Sequence, residues 1–336
     1  MRYQTVAVSS DSSTGMPAGY EALTSDAGAF EDAGRTVLRV RGERALELLN
    51  GLVTADIVAV RGDAAYPTLI LTPKGRVLAD AVVIRLAGDL LLDVPAAGWP
   101  GLEAHFGRYL PPRFAELDPS NLRVIRINGP RALERERTDP VLAALEGPTY
   151  TQRDGSRHTV AAFRDGCAVR LAEGFDVYLP AGSGHELGIP EVSAAAWDVW
   201  RIERGIPQYG RDITADNLPQ ETGLVPEYVS FTKGCYTGQE VLARIHYRGH
   251  VNRHLWGVQV MGSETGDLLR AGDELTADGK VVGTVTSAVL SPVHGWIGMG
   301  YLRREIEPGA EIVVRPGGQD TDIPIYAIVT SLPIVS

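Results

Sequence analysis

Residues 38–47, LRVRGERALE, recur as residues 125–134, IRINGPRALE, with six of the ten positions identical. Each copy begins with an alternating run typical of a β-strand, breaks at a glycine and continues into a run typical of a helix. A second pair of similar segments follows in the same order, IRLA at residues 84–87 and VRLA at residues 169–172. We interpret these segments as an internal duplication that builds two α+β half-domains, packed as one pseudo-symmetric unit. The alternative is that both copies merely share a common amphipathic pattern.

A helix and a long loop follow the second copy. The apolar pattern from Val192 predicts a helix that ends before Gly205 and Pro207, because both residues are poor helix formers. The loop then runs to about Ser230. Loops of that length in a compact chain are usually functional or disordered, and LPQETGL at residues 218–224 is too apolar to look disordered. The sequence therefore predicts a binding loop.

After about residue 255 the pattern changes to short alternating runs bounded by turn residues, at residues 255–260, 281–288, 296–302, 311–314 and 323–329. Such runs indicate an all-β module, which we expect to be a small barrel or sandwich. We divide the chain into residues 1–118 and 119–254, the two half-domains, and residues 255–336, the β module. The binding loop belongs to the second unit.

Composition narrows the class of protein. A chain of 336 residues with 44% apolar residues predicts a folded protein of two or three domains. Its net charge of -10 disfavours a broad surface for nucleic acid or anionic lipid. The two cysteines are too few for a disulfide framework, which favours the cytoplasm, and no apolar run predicts a secretory signal or a membrane span.

The motif KGCYTGQE at residues 233–240 places Cys235 beside Lys233 and just before a predicted helix. Thr237 and Glu240 have the spacing of a capping box, which would start the helix at the residue after Thr237. Cys235 would then lie near the positive end of the helix dipole. That position and the Lys233 ammonium both favour a thiolate, so Cys235 is the candidate catalytic residue.

A basic stretch follows this motif and contains no acidic residue, namely Arg244, His246, Arg248, His250, Arg253 and His254. It is a candidate anion-binding face, since arginine pairs well with carboxylates, or else a solvated strand or loop face. Histidines spaced by four residues would align on a helix as metal ligands. Gly249 and Val251 argue against an unbroken helix there, so we predict no metal site.

The octapeptide, together with AR at residues 243–244 and YRG at residues 247–249, resembles the signature of the YgfZ-type folate-binding proteins. These proteins are relatives of the glycine-cleavage aminomethyltransferase. The resemblance extends over most of the chain and includes LNGLVTAD at residues 49–56 and RIERGIP at residues 201–207. It implies two ferredoxin-like α+β half-domains and a C-terminal β-barrel, arranged as a three-lobed ring around a site for tetrahydrofolate or a one-carbon derivative.

The resemblance also implies roles for individual residues. Glu221, in the Pro-x-Glu loop, matches the glutamate that holds the pterin, although a loop glutamate can equally be solvated or cap a helix. Trp197 matches a tryptophan implicated in folate binding, although tryptophan on a helix is more often part of the core. We expect further contacts with folate from Lys233, Tyr236, Arg244 and Arg248.

Asp80 ends the segment GRVLAD at residues 75–80, which matches the aminomethyltransferase strand that carries two adjacent acids near the reactive nitrogens of folate. One of those acids is Ala79 here. An acid at that place would orient or polarise the reacting centre, so its loss casts doubt on glycine-cleavage activity. Asp80 either contacts folate or ends a strand. The aminomethyltransferases have another residue where Cys235 stands, which sorts this chain into the other branch.

The resemblance implies a tetrahydrofolate-binding protein that supports iron–sulfur cluster assembly or repair in client enzymes, with Cys235 as a thiolate. The alternative is a folate-dependent one-carbon transferase of the glycine-cleavage or dimethylglycine and sarcosine type. A third possibility is a folate-independent thiol enzyme with a histidine base, although the sequence offers no orienting partner. An accessory factor is favoured over a stand-alone enzyme.

The expected partners are folate and, transiently, iron–sulfur client or assembly proteins. Nucleic acid and membrane are not expected partners, and the chain is expected to act as a monomer in the cytoplasm. One cysteine cannot hold a conventional cluster of four thiolates, so no stable cluster is predicted on this chain alone.

Overall fold

The computed structural model describes residues 16–59, 62–137, 139, 142–144, 150–152, 155–163, 166–183, 187–262, 266, 268–316 and 324–335. Two sequence predictions lie outside the described residues. One is the absence of a secretory signal at the N-terminus, and the other is the start of the last predicted β run at residue 323.

The first part of the chain forms six strands, β1 (Gly28–Glu31), β2 (Arg35–Arg41), β3 (Ala64–Leu71), β4 (Val77–Leu86), β5 (Asp89–Pro95) and β6 (Glu116–Pro119). The helices of this part are α1 (Tyr20–Ser25), α2 (Ala45–Asn50) and α3 (Trp99–Tyr109), with a 3-10 turn at Ala96–Gly98. Alternate residues of β4 are buried because side chains on a strand point to opposite faces. The buried face packs against α2 and α3.

The middle part repeats this arrangement with β7 (Leu122–Asn128), β10 (Val160–Phe163), β11 (Gly166–Arg170) and β12 (Gly174–Pro180), and adds a small hairpin of β8 (Tyr150–Gln152) and β9 (Gly155–Arg157). Short 3-10 turns lie at Ala132–Arg137 and Leu142–Ala144. The helices are α4 (Ala194–Glu203), α5 (Val225–Tyr228) and α6 (Gln239–Arg248), with a 3-10 turn at Pro219–Glu221. The predicted helix after residue 192 is therefore confirmed as α4, and it ends before Gly205.

The two sheets have the same topology, which confirms the duplication. The first sheet has the order β3-β4-β5-β2-β6, and the second has the order β10-β11-β12-β7-β1. The edge strands are exchanged, because β1 precedes the first copy yet pairs with β7, and β6 precedes the second copy yet pairs with β2. The boundary near residue 118 stays a prediction. It separates β1 from the second sheet, which β1 completes, and it cuts β6 before its last residue.

The repeated glycines explain how the exchanged strands dock. Gly42 and Gly129 end β2 and β7 with φ of +129° and +130°, values that side chains with a Cβ rarely adopt. A Cβ on Gly42 would lie 2.2 Å from the carbonyl oxygen of Phe114, and a Cβ on Gly129 would lie 2.5 Å from that of Asp26. Those oxygens stand just before β6 and β1. Each glycine thus makes room for the strand that crosses over from the other half.

A mixed core joins the two sheets. Apolar residues of both sheets form one buried cluster, which includes Val37, Ile84, Val124 and Val169. A buried hydrogen bond also crosses this junction, because the Tyr178 hydroxyl of β12 donates to Asp93 of β5 at 3.0 Å. Arg35 Nε of the first sheet donates to the same carboxylate at 2.7 Å. The halves are therefore held together by apolar packing and by a buried hydrogen bond.

The C-terminal part is a closed barrel of six strands, in the order β13-β16-β15-β14-β17-β18. The strands are β13 (Arg253–Val260), β14 (Glu274–Ala277), β15 (Lys280–Ser291), β16 (Gly295–Arg303), β17 (Glu311–Arg315) and β18 (Ile325–Thr330). The predicted all-β module is confirmed and is a barrel rather than a sandwich. No helix in the described part of the chain is long and apolar enough to cross a membrane.

Candidate functional site

Lys233 anchors the segment that carries the Cys235 thiol to a neighbouring loop. The Lys233 ammonium is buried and donates to the carbonyl oxygens of Asn50, Val53 and Ala55 at 2.6, 2.9 and 2.7 Å, and to the Asn50 side chain at 3.1 Å. Burial lowers the pKa of Lys233 to about 8, while the Asp56 charge acts in the opposite direction. Lys233 therefore fixes the loop at residues 50–55 to the thiol segment.

Cys235 is exposed two residues beyond this anchor. The second cysteine, Cys167, is fully buried between the two sheets, and burial raises its pKa to about 12, with a smaller contribution from Asp89. Only Cys235 combines accessibility with a fixed backbone, because its neighbours Lys233 and Tyr236 are both buried. The two thiols of the chain therefore differ sharply in accessibility.

The predicted capping box is wrong. The structure describes all of residues 233–240 and shows no hydrogen bond between the Thr237 side chain and the first turn of α6. The N-cap is Gly238 in a left-handed conformation, and the Thr237 amide donates to Gly51 instead. A Cβ at Gly238 would lie 2.7 Å from the Thr72 carbonyl oxygen, so the close approach of the β3–β4 turn selects a glycine there.

The surroundings of Cys235 stabilise a thiolate less than the sequence predicted. Lys233 directs its ammonium at loop carbonyl groups, so it is not positioned as an ion-pair partner of the thiol. The start of α6 still follows Cys235, so the positive end of its helix dipole remains on that side. The functional thiolate stays a prediction.

Tyr236 is buried in an apolar cluster. Its ring is buried with Leu69, Val77 and Leu242, and the Lys233 Nζ lies 5.1 Å from its centroid. The side chain thus forms a cation–π contact inside the core. Its described contacts are with the protein core, and a contact with folate remains untested.

The basic stretch divides between α6 and β13. Arg244 and Arg248 are both exposed on α6, and the described residues provide no hydrogen-bond or ion-pair partner for either guanidinium. His246 stacks on Phe231 with 3.9 Å between the ring centroids, and Tyr247 lies edge-on to both. These groups form a cationic and aromatic face beside the thiol segment.

The helix ends at Arg248 with Gly249 as its C-cap, so the three histidines of the stretch do not share one helix. Among the described residues no group of histidine, cysteine, aspartate or glutamate side chains is arranged to hold a metal ion. His254 belongs instead to β13, where its ring lies 5.8 Å from that of Trp256.

Glu221 is buried and already has partners within the protein. Its carboxylate accepts from Arg253 Nε at 3.1 Å, from the Leu218 amide at 3.0 Å and from the Asn217 side chain at 3.4 Å. The Leu218 contact caps the 3-10 turn, which is one of the two alternatives considered from the sequence. Arg253 is partly exposed, so it is the partner that a ligand can displace most easily.

Asp80 lies on β4 and is connected to this loop through the backbone. The Val77 amide donates to the Asn217 carbonyl at 3.0 Å, and Asp80 lies about 10 Å further along the strand. Asp80 accepts from Arg35 at 2.6 Å, and Arg35 also binds the buried Asp93. Burial raises the pKa of Asp93, against the effect of the Arg35 charge.

The structure changes the interpretation of Ala79 as the position of a missing catalytic acid. Its side chain points away from Asp80 and is fully buried in the hydrophobic core beneath the first sheet. An acid at position 79 would therefore be buried in an apolar environment rather than placed beside Asp80. The argument against transferase activity from this position is correspondingly weaker than the sequence suggested.

Trp197 is part of an aromatic cluster on α4. Its ring stacks on Phe30 with 4.9 Å between centroids and an angle of 9°, and on Trp200 at 5.0 Å. Phe30 belongs to the exchanged strand β1, so the stack fixes α4 to the second sheet. These contacts agree with the alternative that Trp197 is part of the hydrophobic core. They do not test whether Trp197 also contacts folate.

The structure thus brings together two groups of predicted site residues. Cys235, Lys233 and the exposed arginines of α6 lie around the thiol segment, and Glu221 and Asp80 lie along β4 and the loop beside it. Sequence reasoning gave no role to the carbonyl groups of residues 50–55 or to Arg35. The first were contained in the LNGLVTAD segment, whereas no local signal marks Arg35 because its partners are distant in sequence.

Comparison with known proteins agrees with this architecture. Residues 253–335 match the family model of the glycine cleavage T-protein C-terminal barrel domain. The crystal structure of the glycine cleavage system aminomethyltransferase T from Bartonella henselae superposes with a TM-score of 0.76, at 23% identity, over 94% of this chain and 88% of that chain. The chain has the aminomethyltransferase fold.

Two proteins whose sequences are similar to this chain over most of its length have different names. An aminomethyltransferase from Nostoc sp. is 28% identical over 307 residues, which cover 86% of this chain and 80% of that protein. The mitochondrial iron-sulfur cluster assembly factor IBA57 of Mus musculus is also 28% identical, over 83% of this chain and 78% of that protein. Because the sequence identity to both proteins is equal, the comparison does not distinguish between their two activities, and the shared fold does not determine the activity of this chain.

Proposed function

We propose that this protein binds tetrahydrofolate or a one-carbon derivative and supports iron–sulfur cluster assembly or repair, with Cys235 as the functional thiol. The observation that carries the proposal is the exposed Cys235 on a segment held rigid by the buried Lys233 ammonium. Thiolates are the usual ligands of iron–sulfur clusters. An accessible thiol on a fixed backbone suits transient contact with a cluster held by another protein.

The surroundings of the thiol favour contact with a partner protein. Arg244 and Arg248 are exposed on α6 without a partner among the residues that the structure describes, and Tyr247 has 67% of its surface exposed. Arginine and tyrosine are enriched at protein interfaces. One cysteine leaves a cluster incompletely ligated, so the remaining ligands come from the client or assembly protein.

The folate part of the proposal rests on Glu221 and Asp80. Asn217 connects the two, because its carbonyl oxygen accepts from Val77, three residues before Asp80 on β4, and its side chain donates to Glu221. A ligand that contacts Glu221 with its pterin would extend along β4 towards Asp80. Because Arg253 now pairs with Glu221, folate binding would exchange a guanidinium for the adjacent N–H donors of a pterin edge.

The test of the thiol uses cells that lack this protein. We expect a Cys235→Ala variant to fold and to leave the activity of iron–sulfur enzymes unrestored, whereas a Cys167→Ala variant, with a small change in stability, restores it. Full restoration by Cys235→Ala at equal protein level would rule out a functional thiol. Calorimetric titration with tetrahydrofolate under anaerobic conditions tests the folate part separately.

A one-carbon transferase is the second candidate, favoured by the retention of Asp80 and by the aminomethyltransferase relatives. In this reaction folate accepts the methylene unit of an aminomethylated lipoyl carrier, with release of ammonia, or the methylene unit of an iminium ion that a separate oxidase has formed from a methylated amine. Formation of methylene-tetrahydrofolate from either donor would establish it. If protein that binds tetrahydrofolate forms no methylene-tetrahydrofolate from any of these donors, the transferase is excluded and the accessory role is retained.

A further inference from the structure

A cavity of about 450 Å³ lies between the loop at residues 211–217 and one face of the barrel. Arg253 of the basic stretch is one of its lining residues, whereas none of the residues assigned to direct contact with folate or to the thiol segment lines it among the described residues. Its charged and hydroxyl-bearing lining comes from both sides, with Arg211, Asp212 and Asp216 on the loop and Arg253, Tyr301 and Arg303 on the barrel.

The barrel wall of the cavity carries excess positive charge. Arg253 and Arg303 are directly opposite each other on β13 and β16, a placement that is unfavourable for like charges. Glu221 pairs with Arg253, and no described side chain pairs with Arg303. Two guanidinium groups therefore share one carboxylate on this wall.

The loop wall carries excess negative charge. Arg201 pairs with Asp212 and Asp198, and Arg211 pairs with Asp198 as well. The Asp216 carboxylate is exposed and has no partner in the described part of the chain, although its backbone oxygen accepts from both Arg253 and Arg76. Among the residues that line the cavity on this side, the two carboxylates of Asp212 and Asp216 therefore outnumber the single guanidinium of Arg211.

A buried hydroxyl between the walls also lacks a partner. Tyr301 is 7% exposed, and its hydroxyl has no hydrogen bond to any described residue. Tyr301 and Arg303 are two residues apart on β16, so their side chains point to the same face of the strand. A buried polar group without a partner is unfavourable, and a ligand or an ordered water in the cavity would satisfy it.

We propose that this cavity binds a small zwitterion, such as a free amino acid, with its carboxylate at Arg303 and its ammonium group at Asp216. A simple anion fits less well, because the positive and negative walls compensate each other. Arginine binds carboxylates through two parallel hydrogen bonds, and aspartate accepts from an ammonium group. The proposal does not involve Cys235, and it shares only Arg253 with the folate proposal, because Arg253 lines the cavity and pairs with Glu221.

The test is isothermal titration calorimetry of the full chain with two matched sets of probes. The zwitterions are glycine, L-alanine and L-phenylalanine, which increase in volume, and the singly charged analogues are propionate and n-propylamine. We expect at least one zwitterion to bind, and to bind at least about tenfold more tightly than either analogue, because each analogue loses one charge-assisted contact.

Variants assign the binding to the cavity. Arg303→Gln and Asp216→Asn are each expected to weaken binding of the zwitterion about tenfold or more. Arg304→Gln and Asp278→Asn, exposed neighbours on the barrel, are expected to leave it unchanged. Tyr301→Phe keeps the ring and removes the unpartnered hydroxyl, and we expect a smaller loss of affinity.

Two results would overturn the proposal. One is that no zwitterion binds at concentrations up to about 10 mM, while thermal unfolding shows that Arg303→Gln and Asp216→Asn lower the stability of the protein. In that case the oppositely charged walls simply hold the loop against the barrel. The other is equal binding of propionate and L-alanine, which would make the cavity a carboxylate site without a role for Asp216.

Discussion

Glu221 Oε1 lies 3.1 Å from Nε of Arg253, so the residue predicted to hold a pterin is paired with the first strand of the barrel. The pair is uneven, because the Glu221 side chain is 7% exposed and that of Arg253 is 39% exposed. A ligand that approaches Glu221 can therefore displace Arg253 into solvent while the Leu218 amide keeps the carboxylate in place. This contact connects the folate proposal to the position of the barrel.

Replacing Glu221 with glutamine tests its role. The amide keeps the shape but loses one acceptor, so we expect tetrahydrofolate affinity to fall at least about tenfold and stability to fall by about 1–3 kcal/mol. Calorimetric titration and chemical unfolding measure the two effects. Glu227→Gln, which replaces an exposed glutamate on the following helix α5, is the control and should change neither. Unchanged affinity in a stable Glu221→Gln protein would leave Glu221 with only its capping role.

The two cysteines should differ in reactivity. We expect iodoacetamide to label Cys235 in the native protein and to leave Cys167 unlabelled, because Cys167 is fully buried and burial raises its pKa to about 12. In denaturant both should react. Peptide mass spectrometry at several times of reaction measures the labelling. Labelling of Cys167 at a comparable native rate would mean that the junction of the two sheets opens readily.

Lys233 should make stability depend on pH in a defined window. Its native pKa of about 8 lies below the value near 10.4 of an unfolded lysine. The unfolded chain then binds more protons between these values, so the contribution of Lys233 rises with pH from about 8 to about 10.4. We expect Lys233→Met to cost about 2–4 kcal/mol at pH 7, because three carbonyl groups lose their donor.

The difference in unfolding free energy between wild type and Lys233→Met should therefore grow between pH 8 and pH 10. Urea unfolding at a series of pH values measures it. Lys280→Met, which replaces an exposed lysine at the start of β15, should show no such trend. A constant difference across the window would contradict a lowered native pKa.

The duplicated glycines should be sensitive to a single methyl group. We expect Gly42→Ala and Gly129→Ala to destabilise the protein by about 3 kcal/mol or more, since the new Cβ would lie 2.2 or 2.5 Å from a carbonyl oxygen. Gly88→Ala is the matched control, because its φ is also positive but no atom lies within 4 Å of the new Cβ. It should cost about 1 kcal/mol. Equal losses at all three sites would attribute the effect to backbone conformation alone.

Part of the site was readable from the sequence. The motif at residues 233–240 and the Pro-x-Glu loop were identified as functional candidates, and the structure places them on neighbouring segments beside β4. The capping box was wrong because a residue distant in sequence, Thr72, approaches Gly238 and sets the helix start. A local spacing rule has no information about such an approach.

The sequence also could not distinguish exposed from buried members of one motif. Lys233 and Tyr236 stand beside Cys235 in the chain, yet both turn inward and only the thiol faces solvent. Their orientation depends on the carbonyl groups of residues 50–55 and on the apolar cluster with Leu69 and Leu242. Those partners are brought together only by the folded chain.

The sequence by itself determined the duplication, the C-terminal all-β module and the position of the thiol segment, because each is recorded in local periodicity and in repeated residues. The tertiary structure alone decided that β1 and β6 are exchanged between the halves, that Glu221 pairs with Arg253, and that the walls of the barrel cavity carry opposite charge. These features depend on contacts between residues far apart in the chain. Such contacts follow from packing of the whole molecule and leave no periodic signal in any one segment.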